Sequence, residues 1–79
     1  MYTIVEITKY PLTPDYEAPI LEFIKRLKQH EELDITVGET STVVRGHYDK
    51  VMRALTDEMR VSLGGKVRTS FALKVLNVE

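Results

Sequence analysis

Twice within 79 residues the spacing of apolar side chains changes from every second residue to every third or fourth and back again. Few folds satisfy that pattern. From Tyr2 to Lys9 the chain is β-branched and alternating, with Val5 and Ile7 on one side and Ile4, Glu6 and Thr8 on the other, which predicts a strand with one wetter face. Tyr10-Pro11-Leu12-Thr13-Pro14-Asp15 interrupts it, because each proline lacks an N–H and restricts the residue before it. Tyr16, Ile20, Phe23, Ile24 and Leu27 then share one helical face, with Glu17, Lys25, Arg26 and Lys28 directed away. Pro19 sets the start of this helix near Asp15 or introduces a kink.

Leu33, Ile35 and Val37 alternate with Asp34 and Thr36, and Gly38-Glu39-Thr40 turns the chain into Thr42-Val43-Val44-Arg45, with Gly46 as the end of that strand. Val51, Ala54, Leu55, Glu58, Met59 and Ser62 mark a second helix whose apolar stripe weakens toward its end. Asp49 lies in its first turn, where the helix dipole favours a carboxylate, and Gly64-Gly65 stops it. Val67, Thr69, Phe71, Leu73 and Val75 alternate along a last strand. The order is βαββαβ. With right-handed crossovers it predicts an α+β, ferredoxin-like sandwich, an antiparallel sheet in the order 4-1-3-2 carrying both helices on one face. A chain this short supports one domain, residues 1–79, and buries only about 60–65% of its unfolded surface, so self-association is expected. Ile4, Val43, Ala72 and Leu76 fall on the uncovered sheet face and point to a homodimer or homotetramer.

The parity of the strands places Thr42 and Val44 toward the helices and Ser41, Val43 and Arg45 outward. The register expected between the first and third strands sets Glu6 opposite Arg45, Thr8 opposite Val43 and Tyr10 opposite Ser41. Composition narrows the chemistry further. Cysteine is absent, which removes disulfides, thiolate metal sites and thiol nucleophiles. Eleven basic and twelve acidic residues are interspersed, leaving no field to attract nucleic acid or an anionic membrane. No basic stretch precedes a long apolar run at the amino terminus, and no apolar span is long enough for a bilayer, so a cytoplasmic location is expected. Nucleophile elbow, Walker A, dinucleotide-binding and zinc-protease patterns are all missing, and no cofactor is implied. His30 and His47 read as isolated surface residues, and Ser41 has no base nearby in sequence. Tyr2, Tyr16 and Tyr48 read as partly buried packing residues, whereas Tyr10, beside a proline at a strand end, reads as a site residue.

Two segments carry a family resemblance. Thr8-Lys9-Tyr10-Pro11-Leu12 with Asp15, and Thr40-Ser41-Thr42-Val43-Val44-Arg45-Gly46 with Asp49, Val51 and Met52, resemble the paired motifs of the YkoF-like thiamine/hydroxymethylpyrimidine-binding family. The likeness extends over nearly the whole chain. It implies a non-catalytic domain that binds thiamine or a related pyrimidine as a ligand. It departs in length, since members with two such domains in tandem hold in one chain what this chain would obtain by assembling copies. Thr8 to Tyr10 and Glu39 to Thr42 converge on one edge of the expected fold. Ser41, Thr42, Thr8 and exposed backbone suit the aminopyrimidine, Tyr10 suits stacking, and Glu39 or Asp15 suits the thiazolium cation, with Thr40 as a further residue of the same binding edge. Two relatives of the topology fit less well. An RNA-recognition domain wants aromatics where Ser41, Val43 and Arg45 stand. An acylphosphatase-like enzyme wants an arginine-bearing phosphate loop where Tyr10-Pro11-Leu12-Thr13 stands, and an asparagine on a central strand, whereas the one asparagine is Asn77. A structural or regulatory homo-oligomer without a ligand is the remaining alternative.

Overall fold

In the computed structural model, which describes residues 1–78, the elements follow the order β1 (Tyr2–Pro11), α1 (Glu17–Leu27), β2 (Asp34–Val37), β3 (Thr42–His47), α2 (Tyr48–Leu63) and β4 (Thr69–Asn77). One antiparallel sheet has the order β2-β3-β1-β4, the expected 4-1-3-2 arrangement named from its other edge. The fold is ferredoxin-like α+β. No helix is long and apolar enough to cross a membrane among the described residues.

The core forms where the period-two and period-3.6 stripes meet. Val5, Ile7 and Val44 from the sheet close on Phe23 and Leu27 of α1 and on Val51 and Leu55 of α2, all at 2% exposure or less. The helices lie over β1 and β3. β4 pairs along β1 but extends past this cover, so Phe71 is half-buried against Phe23 (ring centroids 5.2 Å) while Leu73 and Val75, on the same side, are exposed. Pro19 is the third residue of α1, in the first turn, where a missing N–H costs no intrahelical bond.

Three expectations are corrected. Gly46 does not end β3 but lies buried within it, and a Cβ there would come within 2.9 Å of Leu33 Cδ2 and 3.2 Å of Val51 Cγ2. Glycine at this point lets the β2 entry and the start of α2 close on the strand. The β1–β3 register is displaced by two residues, pairing Ile4 with Arg45, Glu6 with Val43 and Ile7 with Thr42. Glu6 therefore stands between Val43 and Lys74, and the Arg45 guanidinium donates to the Thr36 hydroxyl at 3.4 Å. Arg26 does not point away from the core: its side chain is 20% exposed and turns onto α2.

Candidate functional site

The two partners of β1 stop at different points. β4 accompanies it to Pro11, whereas β3 pairing ends at Ile7↔Thr42. On the β3 side, Thr8 to Pro11 therefore have no strand neighbour, and the Gly38–Ser41 loop stands there instead. That loop is closed by the Gly38 N–H donating to the Ser41 carbonyl at 2.8 Å. A Cβ on residue 38 would lie 3.0 Å from that same oxygen, which is why the tight return suits glycine. One side chain replaces the missing ladder: the Thr8 hydroxyl donates to the Thr40 carbonyl at 3.1 Å.

Two adjoining hollows result. The smaller, about 70 Å³, lies between the helix-facing side of β1 and the loop, and is lined by Thr8, Glu39, Thr40, Ser41 and Thr42 with Phe23 and Ile24 of α1 at its base. The larger, about 460 Å³, is a mostly apolar trough bounded by Tyr10, Pro11, Leu12, Tyr16 and Ile20, with Thr8 and Thr40 on the wall it shares with the first. Its volume falls in the range of small-ligand pockets, about 300–1,000 Å³.

All six residues singled out in the sequence lie here, distributed between the hollows. Thr8 and Thr40 line both, Tyr10 lines the trough, and Glu39, Ser41 and Thr42 line the smaller one. Thr42 is only 5% exposed, so little of its side chain faces outward. Asp15 is outside both linings, and its backbone N–H reaches the Thr13 hydroxyl at 3.5 Å.

Sequence reading missed Tyr16. It is 52% exposed, close to the 51% of Tyr10, and bounds the same trough instead of packing in the core. The residues carried no clear signal for this, since the helix start expected near Asp15 put Tyr16 on the helical face, whereas the helix begins at Glu17 and leaves Tyr16 just outside its first turn. A polar cluster under the helices was missed as well. Glu58 of α2, 14% exposed, accepts from Arg26 Nε at 2.9 Å and meets His30 Nε2 at 2.8 Å, so His30 is not an isolated surface residue. Ser62, one turn on, accepts from Arg26 Nη2 at 2.9 Å and from Lys9 Nζ at 3.1 Å. These contacts explain why the α2 stripe turns polar toward its end. Lys9 Nζ also donates to the Pro19 carbonyl at 2.9 Å. Burial holds its pKa below the ordinary lysine value, and Arg26 adds to the effect while Glu22 opposes it.

Fold and trough together define an open-faced ferredoxin-like domain with a ligand-sized recess at the unpaired end of its central strand. No family model and no curated protein matches the chain. Solved structures do. A hypothetical protein of Methanocaldococcus jannascii superposes with a TM-score of 0.85 at 19% identity, over 99% of this chain and 81% of that one. A Bacillus cereus domain of unknown function, DUF77, gives 0.81 at 14% identity, covering 98% and 76%. A Thermotoga maritima protein, a candidate for thiamine biosynthesis or salvage, gives 0.72 at 21% identity, covering 98% and 84%. At these identities the likeness is one of fold.

Proposed function

We propose that this chain binds thiamine or its hydroxymethylpyrimidine moiety and does not turn it over. The observation that carries the reading is the trough between Tyr10 and Tyr16, where two half-exposed rings bound an apolar recess beside a hydroxyl-rich wall. Tyrosine faces take flat heterocycles by stacking and attract a thiazolium cation through their π systems. Thr8, Ser41 and the loop backbone supply donors and acceptors for the aminopyrimidine, and Glu39 supplies a negative charge. Neither the Thr8 nor the Ser41 hydroxyl is hydrogen-bonded to a histidine, lysine or carboxylate among the described residues, which suits holding a ligand better than activating a nucleophile. The Thermotoga neighbour's connection with thiamine points the same way.

The trough is open on one side, and in this reading a second copy completes it within a homodimer or homotetramer. Sedimentation equilibrium should show a species larger than the 9.1 kDa chain at micromolar concentration. Calorimetric titration with thiamine, hydroxymethylpyrimidine and thiamine phosphates tests the binding itself.

A second reading rests on β4. Leu73 and Val75 on the helix-facing side and Leu76 on the uncovered face are 37%, 49% and 54% exposed, so both faces of an edge strand present apolar side chains that suit assembly whether or not a ligand binds. A ligand-free structural oligomer predicts no heat with any of these compounds, together with the same larger species in the centrifuge.

A further inference from the structure

A hollow of about 180 Å³ lies between one face of α1, the end of α2 and the beginning of β4. Lys9, Arg26 and Lys66 line it with Ser62, and Glu22 is its one carboxylate. Lys9 is the unusual member. Its ammonium donates to two neutral acceptors, the Pro19 carbonyl and the Ser62 hydroxyl, and lies 5.4 Å from the Phe23 ring centroid, while no carboxylate lies within 4 Å of it among the described residues. An ammonium has three donors, and two are used.

Ser62 has a matching vacancy. Its oxygen already accepts from two cationic side chains, Lys9 and Arg26, which occupies both lone pairs. Its own hydrogen has no acceptor among the described residues. A hydroxyl so placed can only donate. The third Lys9 proton, the Ser62 proton and the Lys66 ammonium are therefore donors without internal acceptors around one small hollow.

The charge balance has the same sign. Glu58 neutralises Arg26 and is nearly buried, while Glu22, which also touches Arg26, is 72% exposed and largely screened by water. The end of α2 contributes about half a negative charge. Lys66 is exposed and screened as Glu22 is, so the less exposed Lys9 carries the excess of positive charge over that remainder. A half-buried cation held by neutral groups and one aromatic face, with only the exposed Glu22 as a nearby counter-charge, is stabilised by an anion that replaces its lost hydration.

From this arrangement we propose that the Lys9–Ser62–Lys66 hollow is a binding site for a small oxyanion, a phosphate-sized group carried free or on a metabolite. The site is distinct from the trough and does not depend on what the trough binds. Lys9 also contributes to the lining of the trough, while its ammonium is held at the Pro19 carbonyl and the Ser62 hydroxyl. The volume admits a phosphoryl group and is below what a nucleotide-sized ligand requires.

Inorganic phosphate titrated into the 15N-labelled protein at constant ionic strength, followed by NMR, tests the assignment. Saturable shifts are expected at the amides of Ser62, Gly65, Lys66 and Thr69, with the Lys9 side-chain pKa moving upward as phosphate binds. Lys9→Met removes the cation, keeps an apolar stem over Phe23, and should weaken phosphate at least roughly tenfold. Lys66→Ala should weaken it less, through loss of an exposed charge. Linear, non-saturating shifts across the titration, or an unchanged affinity in a folded Lys9→Met protein, would overturn the proposal. Phosphate binding without any thiamine binding would leave it standing and count against the trough reading alone.

Discussion

The two halves of β1 obey different rules. From Thr3 to Ile7 the strand has a partner on each side, and its inward residues Thr3, Val5 and Ile7 are 2% exposed or less. From Thr8 to Pro11 it keeps only β4, its outward Tyr10 is half-exposed, and hollows open beside it. The first half is structural because both backbone edges and one face are satisfied within the chain. The second half is available for binding because β3 ends early and a four-residue loop stands off from it. The difference teaches that the site follows from a mismatch in strand length, with one hydrogen bond, Thr8 to Thr40, holding the gap at a fixed width.

Substitutions under the first half should damage stability and leave the recess chemistry alone. Leu55→Ala, at a fully buried position in the core cluster, should cost about 2–5 kcal/mol in chemical denaturation. Should it prove nearly neutral, the packing described here is wrong. Glu58→Gln should follow at about 1–3 kcal/mol, because it strips the charge from a carboxylate shared by Arg26 and His30. A melting temperature unchanged by that substitution would mean that the helix-to-helix pairing is idle.

Substitutions in the second half should do the opposite. Tyr10→Ala leaves the fold within about 0.5 kcal/mol of the parent, as expected for a half-exposed side chain, while ligand affinity falls by about 1–3 kcal/mol through lost stacking. Calorimetry and thermal denaturation on the same sample separate the two effects. The smallest expected effect concerns Lys9. Its folded-state pKa is lowered, so the folded protein releases that proton before the unfolded chain does. Stability should therefore rise with pH from the folded pKa toward the ordinary 10.5, the cost of the buried charge being fully present below that window. Lys9→Met should flatten this rise. An equally steep rise in the variant would assign it to another group.

Much of this division was legible in the residues, and the part that was not has a physical cause. Alternation fixes the face of every strand residue, and Val5, Ile7, Thr42 and Val44 lie inward as their parity requires. Parity is blind to a displacement by two, however. The pairing of Glu6 with Arg45 and that with Val43 leave all side chains on the same faces, and because no hairpin joins β1 to β3, packing such as that of Leu33 and Val51 against Gly46 has to choose between them. The site segments were legible in part: the Gly38 turn marks where β3 pairing fails, but Tyr10-Pro11 does not interrupt the first strand as expected, since β1 stays paired with β4 up to Pro11↔Thr69. Arg26, Glu58, Ser62 and Lys9 were not, since polar residues on a helical stripe read as a weakened stripe until the partner helix is set beside it. Tyr16 was assigned to packing from its helical spacing with Ile20, yet it precedes the helix and lies over the trough.

The most direct test of the central claim is calorimetric titration of hydroxymethylpyrimidine and thiamine into the parent protein and into Ser41→Ala, with Lys28→Ala as a surface control. Ser41 borders the smaller hollow at the loop end, outside the core cluster. If the unpaired end of β1 and the Gly38–Ser41 loop form one ligand wall, the parent binds. Ser41→Ala then loses roughly 5- to 150-fold in affinity, from a ligand polar atom left unpaired at about 1–3 kcal/mol, with its melting temperature nearly unchanged. Lys28→Ala matches the parent. Undiminished binding by Ser41→Ala, or no binding by the parent to either compound, contradicts the account.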